Sequence, residues 1–503
     1  MTQVITIIAL VLYVAILLGI GLYCRRAATN MNNFLLGGRS VGPWISAFAY
    51  GTSYFSAVIF IGYAGMHGWN IGIGSMWIGI GNAVIGCLIA WLLLAKPTRR
   101  MTQKLDASTM PEFFSKRYKC TAMKVYAAII IFVFLVPYAA GVYKGLGTLF
   151  SAVFPGVSEK LIMLLVAVLA AVSLVLGGYK VTAYTDFVQG IIMIVGISAM
   201  IIAVISRPEV GGLAEGFRKL SEIDPKLVDI TGGSSFGMLA TNIALTSFGV
   251  WGLPQMVHKY YAIKDEKSVV PATVIATAFA LLIGVGAYLV GCFGRLFVPA
   301  TADGLPDLAG GYDAVVPQIL MTVLADNVFL VILLAVIMLL LLSASMSTLG
   351  SLVLSSSSAI AVDLMSVVKP GMEEKKRMTL MRCLCLLFVA LSYLFATMNI
   401  SFIVNLMSFS WGIVAGCFIG PFLWGLYSKK ITKAGAWAGL LCGLVVVLGL
   451  VIINTIAVDF ATAKSMAPNF GVYAMIASVV VTPVVSLFTK PFDKEHLGNC
   501  FNR

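Results

Sequence analysis

The chain consists of long apolar stretches joined by short polar connections, and within each stretch the apolar positions are continuous rather than alternating. A membrane-spanning helix needs about 20 mainly apolar residues, whereas a transmembrane β-barrel requires alternation. The pattern therefore predicts an all-α integral membrane protein. We count thirteen such spans, at 3–24, 43–68, 70–95, 122–153, 159–177, 184–206, 235–262, 269–298, 328–364, 380–398, 402–427, 433–456 and 470–488.

Composition and charge support the same class. Apolar residues make up 60% of the 503 positions and charged residues only 11%, which is atypical of a soluble domain. The net charge of +13 could suggest nucleic-acid binding. The basic residues, however, fall mainly on alternate connections, which is the positive-inside pattern of membrane proteins. Members of this set include Arg25, Arg26, Arg39, Lys259 and Lys375.

This distribution predicts a multi-pass protein of the plasma (inner) membrane, with the N-terminus outside and the C-terminus in the cytoplasm. The lipid bilayer is the expected surrounding, and we predict no nucleic-acid partner and no obligate protein partner. A capped helix is expected in the connection around Thr109, Pro111 and Glu112, where the residue types match a capping arrangement.

Two spans contain helix-breaking residues in their interior. The second has Gly51-Thr52-Ser53, and the seventh has the run from Phe248 to Pro254. Such breaks leave backbone groups that need partners inside a membrane. They lie five spans apart, as expected if spans 2–6 and 7–11 form two repeats of opposite topology, an arrangement common in secondary transporters. Close packing is the alternative explanation for each glycine taken alone.

The ninth span changes from purely apolar to hydroxyl-rich. At helical spacing, one face carries Ala344, Ser347, Thr348, Ser351 and Ser355. Neutral oxygens suit a weakly held Na⁺ better than a divalent ion. Small and hydroxyl residues also let membrane helices pack closely. Spacing alone leaves both explanations open.

Four motifs in a fixed order give the chain a family resemblance. They are Leu36-Gly37-Gly38-Arg39-Ser40, Met110-Pro111-Glu112-Phe113-Phe114, the run from Gly177 to Gln189, and Ala344-Ser345-Met346-Ser347-Thr348. Over about residues 5 to 430 the chain resembles the sodium:solute symporter family, which includes proline, pantothenate and sodium–glucose cotransporters. The resemblance implies a leucine-transporter-type 5+5 inverted repeat with one extra N-terminal and two extra C-terminal helices.

The implied division of the single transmembrane domain, 1–503, follows the spans. Residues 1–42 form the extra first helix and loop, 43–206 the first repeat, 235–427 the second repeat, and 433–503 the last two helices and tail. In this family the main sodium site takes backbone carbonyls from the broken second span, and a carbonyl with two hydroxyls from the ninth. The resemblance places these ligands at Thr52, Phe55, Ala344, Ser347 and Thr348.

Some members also have a second sodium site, which would fall here on Asp186 and Ser351. Gly350 stands where another hydroxyl is expected, which argues against a second ion. Asp186 has alternative roles: it could support the main site, cap a helix or pair with a basic residue.

Aromatic and hydroxyl residues near the two breaks are candidates for a solute pocket, because such pockets combine apolar walls with a few orienting polar groups. Proline carriers place an aspartate where this chain has Tyr54, which argues against proline. Lys144, inside an apolar span, either extends to the membrane surface or captures a substrate carboxylate. The candidates are Ser53, Tyr54, Ser56, Thr246, Phe248, Trp251, Pro254, Ser408 and Trp411, with Lys144 as a further one.

The sequence thus predicts a sodium-coupled importer, a symporter, of a small organic solute such as a carboxylate-bearing amino acid or vitamin. It would work by alternating access, with Na⁺ as the transported coupling ion. The sequence has neither clustered catalytic residues inside the spans nor a phosphate-binding loop, so an enzyme is not expected. A proton-coupled symporter of the same fold is the alternative. A channel or sensor fits poorly, since no selectivity loop or output domain is visible.

Overall fold

A computed structural model describes residues 2–24, 30–324, 328–398 and 402–501 of the chain. Arg25 and Arg26, which contribute to the predicted charge asymmetry, lie outside the described residues. Within those ranges the regular structure is helical, and β-type pairing is limited to two isolated bridges, Val41 with Ile263 and Ala300 with Pro306. The all-α prediction is confirmed.

The α-helices follow one another closely along the chain. In order they are α1 (Thr2–Cys24), α2 (Met31–Leu36), α3 (Pro43–Tyr54), α4 (Ala64–Ile71), α5 (Met76–Gly81), α6 (Lys96–Lys104), α7 (Met110–Arg117), α8 (Thr121–Val153), α9 (Glu159–Ile205), α10 (Leu213–Ile223), α11 (Phe236–Gly249), α12 (Pro254–Ala262), α13 (Val269–Cys292), α14 (Gly294–Phe297), α15 (Val315–Leu324), α16 (Val328–Ser358), α17 (Met365–Val368), α18 (Glu374–Thr397), α19 (Ile403–Tyr427), α20 (Lys433–Ala457), α21 (Phe460–Ser465), α22 (Ala467–Leu487) and α23 (Lys494–Phe501).

Wider and tighter helical turns connect several of these elements. The π-helical segments are Val58–Tyr63, Asn82–Ile89, Trp91–Ala95 and Ala359–Leu364. The 3₁₀ segments are Gly37–Arg39, Gly72–Ser75, Pro225–Val228, Gly233–Ser235 and Gly311–Ala314.

Eleven helical stretches in the described part are long and apolar enough to cross a membrane. The predicted span 43–68 is not among them because it is interrupted. The predicted span 159–177 and the next one both lie in α9, which is kinked between them. That helix contains Gly178 at φ 61°, ψ −158°, a non-helical conformation that glycine tolerates. A multi-pass helical protein is confirmed, and the count of thirteen stays a prediction.

Both predicted helix breaks are present. Helix α3 ends at Tyr54, where Phe55 is extended with φ −104° and ψ 114°. Helix α11 ends at Gly249, and α12 begins at Pro254 after an extended Leu253. Proline at a first helical position loses no intrahelical hydrogen bond, so it suits this restart. The capped helix α7 is also confirmed, with Thr109 accepting the Glu112 N–H at 3.2 Å.

The first break lies where several long helices meet. Helix α3 packs against α9, α13 and α16, and α16 packs in turn against α9, α8 and α1. Gly51 permits the close approach of α13, because a Cβ there would overlap the Phe279 ring. At the other end of the sequence, α19, α20 and α22 pack together. The broken helix α3 is therefore held between α9, α13 and the hydroxyl-rich α16.

Candidate functional site

Backbone carbonyls from the end of α3 meet hydroxyls of α16. Thr348 Oγ1 lies 3.5 Å from the Thr52 carbonyl and 3.3 Å from the Ser53 carbonyl, and donates to the Ala344 carbonyl at 3.0 Å. Ser347 Oγ donates to Thr52 Oγ1 at 2.7 Å. We call Thr52, Ser53, Ala344, Ser347 and Thr348 the neutral-oxygen cluster. Each is 3% exposed or less.

The break in α3 explains why these carbonyls face another helix. The last carbonyls of a helix have no intrahelical partner. At the end of α3, the Phe55 N–H donates to the Gly51 carbonyl at 3.2 Å. Just past the break, the Ala57 N–H donates to Ser345 Oγ at 3.2 Å, a second tie to α16. Four of the five predicted sodium ligands thus converge, and Phe55 begins the extended segment beside them.

The chemistry of this cluster suits a monovalent cation. Its carbonyls and hydroxyls carry no formal charge, which favours weak and exchangeable coordination. Over the ranges that the structure describes, no group of three His, Cys, Asp or Glu side chains is placed to hold a metal ion. Coordination by Thr52, Phe55, Ala344, Ser347 and Thr348 remains a prediction, now with a geometry that supports it.

A second cluster adjoins the first, and it is charged. Asp186 of α9 lies 3.7 Å from Lys259 Nζ of α12, and that ammonium donates to Ser351 Oγ at 3.0 Å. The ammonium also lies 5.2 Å from the centre of the Tyr179 ring. We call Asp186, Lys259 and Ser351 the charged cluster. The two ionic side chains are 1–2% exposed, so the pair is fully buried.

The charge pattern of the sequence places Lys259 among the basic residues of the connections, and this prediction is wrong. The side chain lies inside the bundle, within α12. A signal was available, because Lys259 falls within the predicted span 235–262, and an ionisable residue inside a span marks a functional or paired position. Its partner is Asp186, and pairing with a basic residue is one of the alternative roles that the sequence leaves open for Asp186.

Ser53 joins the two clusters. Its hydroxyl lies 2.8 Å from Ser351 Oγ and 3.5 Å from Ser347 Oγ, and it donates to the Ala49 carbonyl at 2.6 Å. The predicted solute-pocket residue Ser53 is therefore engaged by hydroxyls of α16. A row of hydroxyl contacts therefore runs from the Thr52 end of α3 to Lys259.

The structure brings Tyr54, Thr246 and Trp411 together, as expected for a solute pocket. The Tyr54 and Trp411 rings are stacked, with their centres 6.3 Å apart. The Tyr54 hydroxyl donates to the Thr246 carbonyl at 2.8 Å. Two further residues complete this wall. Tyr138 lies edge-on to Trp411 at 5.8 Å, and Asn82 Oδ1 accepts the Thr246 hydroxyl at 2.7 Å. Tyr138 and Asn82 were missed, because neither stands out in the sequence.

The other predicted pocket residues are more scattered. Ser56 lies in the break of α3 and accepts the Val58 N–H at 3.3 Å. Ser408 lies 3.0 Å from the Tyr63 hydroxyl, Trp251 donates to the Ile85 carbonyl at 3.1 Å, and Pro254 begins α12.

Phe248 differs from the other pocket candidates. It is 39% exposed, in a groove with Ile419 and Val472, so the structure does not bring it to the Tyr54–Trp411 pair.

Lys144 has a protein partner. Its Nζ lies 3.5 Å from Asp313 Oδ2, and Asp313 also accepts the Ile403 N–H at the start of α19, at 3.2 Å. The pair borders a cavity of about 610 Å³ that also contacts Glu159 and Tyr312. A substrate carboxylate at Lys144 would therefore compete with Asp313, and the predicted substrate role remains a prediction.

Comparison with known proteins also indicates a sodium-coupled transporter. The sequence model of the sodium:solute symporter family matches residues 34–443. The osmoregulated proline transporter OpuE of Bacillus subtilis (strain 168) is 28% identical over 489 residues, covering 96% of this chain and 95% of that protein. A sodium/proline symporter of Staphylococcus aureus (strain bovine RF122 / ET3-1) is 30% identical over 502 residues, covering 96% and 93%.

Solved structures share the fold at low sequence identity. A Na⁺-coupled sialic acid symporter in a substrate-bound outward-open state superposes with a TM-score of 0.77 at 16% identity, covering 97% of this chain and 98% of that one. A nucleobase-cation-symport-1 family transporter in a closed conformation gives 0.52 at 15% identity, covering 93% and 98%. The chain therefore belongs to the sodium:solute symporter family. Its members are transporters, not enzymes, and they import small organic solutes with Na⁺ as the coupling ion.

Proposed function

We propose that the neutral-oxygen cluster, with the Phe55 carbonyl, holds the transported Na⁺ and that its occupancy drives import of a small carboxylate-bearing solute. The observation that carries the proposal is the meeting of freed α3 carbonyls with the hydroxyls of α16, at 3.3 to 3.5 Å from Thr348 Oγ1. In that position the ion would tie the broken helix of one half of the chain to the hydroxyl-rich helix of the other.

This tie gives a mechanism for alternating access. The predicted repeats, 43–206 and 235–427, each contain one of the two breaks, which supports an inverted-repeat arrangement with the ion between the halves. Binding of Na⁺ favours an outward-open state, and the solute then permits closure. Release follows when Na⁺ escapes to the low-sodium side. The N-terminus is outside in this scheme.

The sodium gradient suffices energetically. One Na⁺ moving through about 100 mV contributes about 2.3 kcal/mol. A tenfold concentration ratio adds about 1.4 kcal/mol. Together these support accumulation of a neutral solute by roughly 500-fold.

Proline is the first solute to test, because both relatives described above are named as proline transporters, although Tyr54 stands where proline carriers have an aspartate. Tyr54 adds no negative charge to the wall formed with Thr246 and Trp411. A net-neutral or carboxylate-bearing solute of amino-acid size fits this chemistry, with aromatic walls and a few hydroxyl and amide groups.

We further propose that one Na⁺ is coupled to each solute. A second ion at Asp186 and Ser351 would lie against the Lys259 ammonium, which already contacts both. Like charges at such short range repel strongly in a buried environment. Asp186 then supports the site by neutralising Lys259 instead of binding a second ion.

The experiment is uptake of radiolabelled L-proline into proteoliposomes, with Na⁺ or K⁺ outside. We expect Ser347→Ala and Thr348→Ala to raise the Na⁺ concentration for half-maximal uptake at least tenfold, about 1.4 kcal/mol or more. Thr277→Ala is the matched control, since its hydroxyl makes the same bond to a carbonyl four residues earlier, at 2.7 Å, away from the cluster.

Unchanged sodium dependence in both variants would remove the site assignment. Uptake in sodium-free buffer driven by a pH gradient would favour the proton-coupled alternative. If wild-type protein transports no proline, a thermal-shift screen with small amino and carboxylic acids, in Na⁺ and in K⁺, identifies the solute to use.

A further inference from the structure

A cavity of about 650 Å³ opens at the end of the bundle where α6, the end of α19 and α23 meet. Its lining includes Arg100 and Lys104 of α6, Leu426 and Tyr427 of α19, and Phe501 of α23. No Asp or Glu is among its described lining residues. We call this space the α6 cavity. Its volume is within the range of small-molecule sites.

The α6 cavity lies where a lipid-facing surface gives way to a basic one. The apolar stretch Val58–Lys104, which is long enough to cross a membrane, ends in α6. Just before α6, Leu92 and Leu93 are 59% and 41% exposed, as expected of side chains that contact lipid tails. The exposed Tyr427 donates its hydroxyl to the Leu93 carbonyl. Tyrosine is enriched at the level of the lipid headgroups, so the cavity is placed at that level.

Basic side chains are concentrated around this opening. Helix α6 has nine residues, none of them acidic, and four of them are basic: Lys96, Arg99, Arg100 and Lys104. Lys429, which follows α19, adds another positive charge, since its ammonium lies 5.8 Å from the centre of the Phe501 ring. Basic clusters just beyond a membrane span attract anionic lipids, and basic pockets between helices at that level bind phospholipid headgroups.

The two cations that line the cavity are accessible and retain donors. Glu266 accepts from Nε and Nη2 of Arg100, both at 2.5 Å, and Nη1 makes no hydrogen bond to the described residues. The Arg100 side chain is 56% exposed. Lys104 is also exposed, and over the described ranges its ammonium pairs with no carboxylate. An anion in the cavity would therefore meet two cations of which only one is partly neutralised.

The wall opposite α6 is held in place by a buried arginine. Arg117 donates to the Gly425 carbonyl at 3.0 Å, near the end of α19. Its guanidinium carbon lies 4.9 Å from the centre of the Phe501 ring, and its own carbonyl lies 2.9 Å from His496 Nε2 of α23. Because α19 and α23 are both fixed to Arg117, the cavity exists before a ligand arrives, which reduces the ordering cost of binding.

We propose that the α6 cavity binds the headgroup of an anionic phospholipid. Arg100 and Lys104 contact the lipid phosphate, and the lipid tails lie against the apolar surface of Leu92 and Leu93. Since no carboxylate lines the cavity, it favours a headgroup with net negative charge over a zwitterionic one. This site lies on the outside of the bundle, and the assignment does not depend on which solute or ion the protein carries.

The test titrates full-length protein, purified in detergent, with phosphatidylglycerol or phosphatidylcholine and counts bound lipids by native mass spectrometry. We expect the first phosphatidylglycerol to bind at least about tenfold more tightly than phosphatidylcholine. One basic side chain near anionic lipid contributes about fivefold in affinity. Lys104→Gln should therefore weaken phosphatidylglycerol binding about fivefold, and Arg100→Gln with Lys104→Gln about 25-fold. Phosphatidylcholine binding should stay within about twofold.

Lys375→Gln with Lys376→Gln is the matched control. This pair of substitutions removes two exposed positive charges near the start of α18, outside the α6 cavity. Lys376 lies 3.3 Å from a carboxylate of Glu373, as Arg100 is paired with Glu266. The control should bind phosphatidylglycerol within about twofold of wild type. Equal weakening in the control overturns the proposal, because it indicates diffuse attraction. Unchanged affinity in both Lys104→Gln and the double variant at Arg100 and Lys104 overturns it too.

sn-Glycerol 3-phosphate distinguishes a lipid from a free phosphate compound, because it carries a phosphate on glycerol without the tails. Displacing phosphatidylglycerol should require more than about 100-fold higher concentrations of it, since each buried methylene of a tail adds affinity. Equally tight binding of the soluble compound would assign the cavity to a free anion and overturn the lipid proposal. Lys104→Gln leaves the Arg100–Glu266 pair intact, so it keeps the test decisive if the double variant is unstable.

Discussion

The two clusters beside α16 differ in how they would hold a cation, although they share one helix. Ser347 and Thr348 meet the uncharged end of α3. One turn further, Ser351 meets the Lys259 ammonium, which is balanced by the Asp186 carboxylate. The first cluster has oxygens and no formal charge, and the second has a positive charge attached to the chain.

This difference separates an exchangeable cation from a permanent one. A buried ion pair that loses one partner leaves an uncompensated charge, which is strongly destabilising. Such a site cannot release its cation in every transport cycle at low cost. Neutral carbonyls and hydroxyls carry no such penalty when the ion leaves. This supports the proposal that the transported Na⁺ binds in the neutral-oxygen cluster, with the charged cluster serving as part of the scaffold.

The largest effect should come from breaking the buried pair. Lys259→Met leaves the Asp186 carboxylate without its ammonium, and we expect the free energy of unfolding to fall by about 3–5 kcal/mol. Thermal unfolding of purified protein measures this. Adding Asp186→Asn to the same variant removes the orphaned charge and should recover much of the loss.

A surface pair provides the control for that experiment. Lys119 and Asp493 lie 3.0 Å apart with more than half of each side chain exposed, and Lys119→Met should cost less than about 1 kcal/mol. If Lys259→Met were no more destabilising than Lys119→Met, the charged cluster would not be the fixed scaffold element described here.

Much of this architecture was readable from the sequence because it depends on local chemistry. Gly51 and Pro254 mark the two breaks, and both helices end or begin beside them. The hydroxyls at Ser347 and Thr348 share one helical face, and the structure turns them toward α3.

Contacts between distant segments could not be read in the same way. Lys259 and Asp186 are 73 positions apart, and only the fold shows that they meet. Asn82 reaches Thr246 across an even longer interval. Phe248 looked like its aromatic neighbours in the sequence, yet its place on the helix turns it toward a peripheral groove. Periodicity assigns a residue to a face but does not identify the opposing helix.

A second lysine–carboxylate pair, Lys144 with Asp313, extends the comparison, because its contribution to stability depends on pH. Burial raises the pKa of Asp313 to about 6, although the Lys144 ammonium and the Ile403 N–H both act to lower it and Glu159 acts to raise it. The carboxyl thus binds a proton more tightly in the folded state than in the unfolded one. Its contribution to stability is fully present below about pH 4 and is lost as the pH rises through 6.

Between pH 7.5 and 5, wild-type protein should therefore gain about 1.4 kcal/mol of unfolding free energy relative to Asp313→Asn. Paired thermal or denaturant unfolding of the two proteins at both pH values gives the difference. A difference that stays constant, or that shrinks with acidification, would show that Asp313 is not held in this proton-binding state.

The smallest effect should come from the hydroxyl that joins the two clusters. Ser53→Ala removes the 2.8 Å contact with Ser351 and the longer one with Ser347, a loss of about 0.5–1 kcal/mol. The Na⁺ half-saturation should rise only about two- to fivefold, because the Ser53 carbonyl, which faces Thr348, is kept. Ser392→Ala is the control, since its buried hydroxyl also donates to a carbonyl four residues earlier, at 2.7 Å. If Ser53 couples the clusters, Ser53→Ala and Ser351→Ala combined should raise the half-saturation less than the product of their separate effects. A fully multiplicative result would mean that the neutral-oxygen cluster and the charged cluster act independently despite their contact.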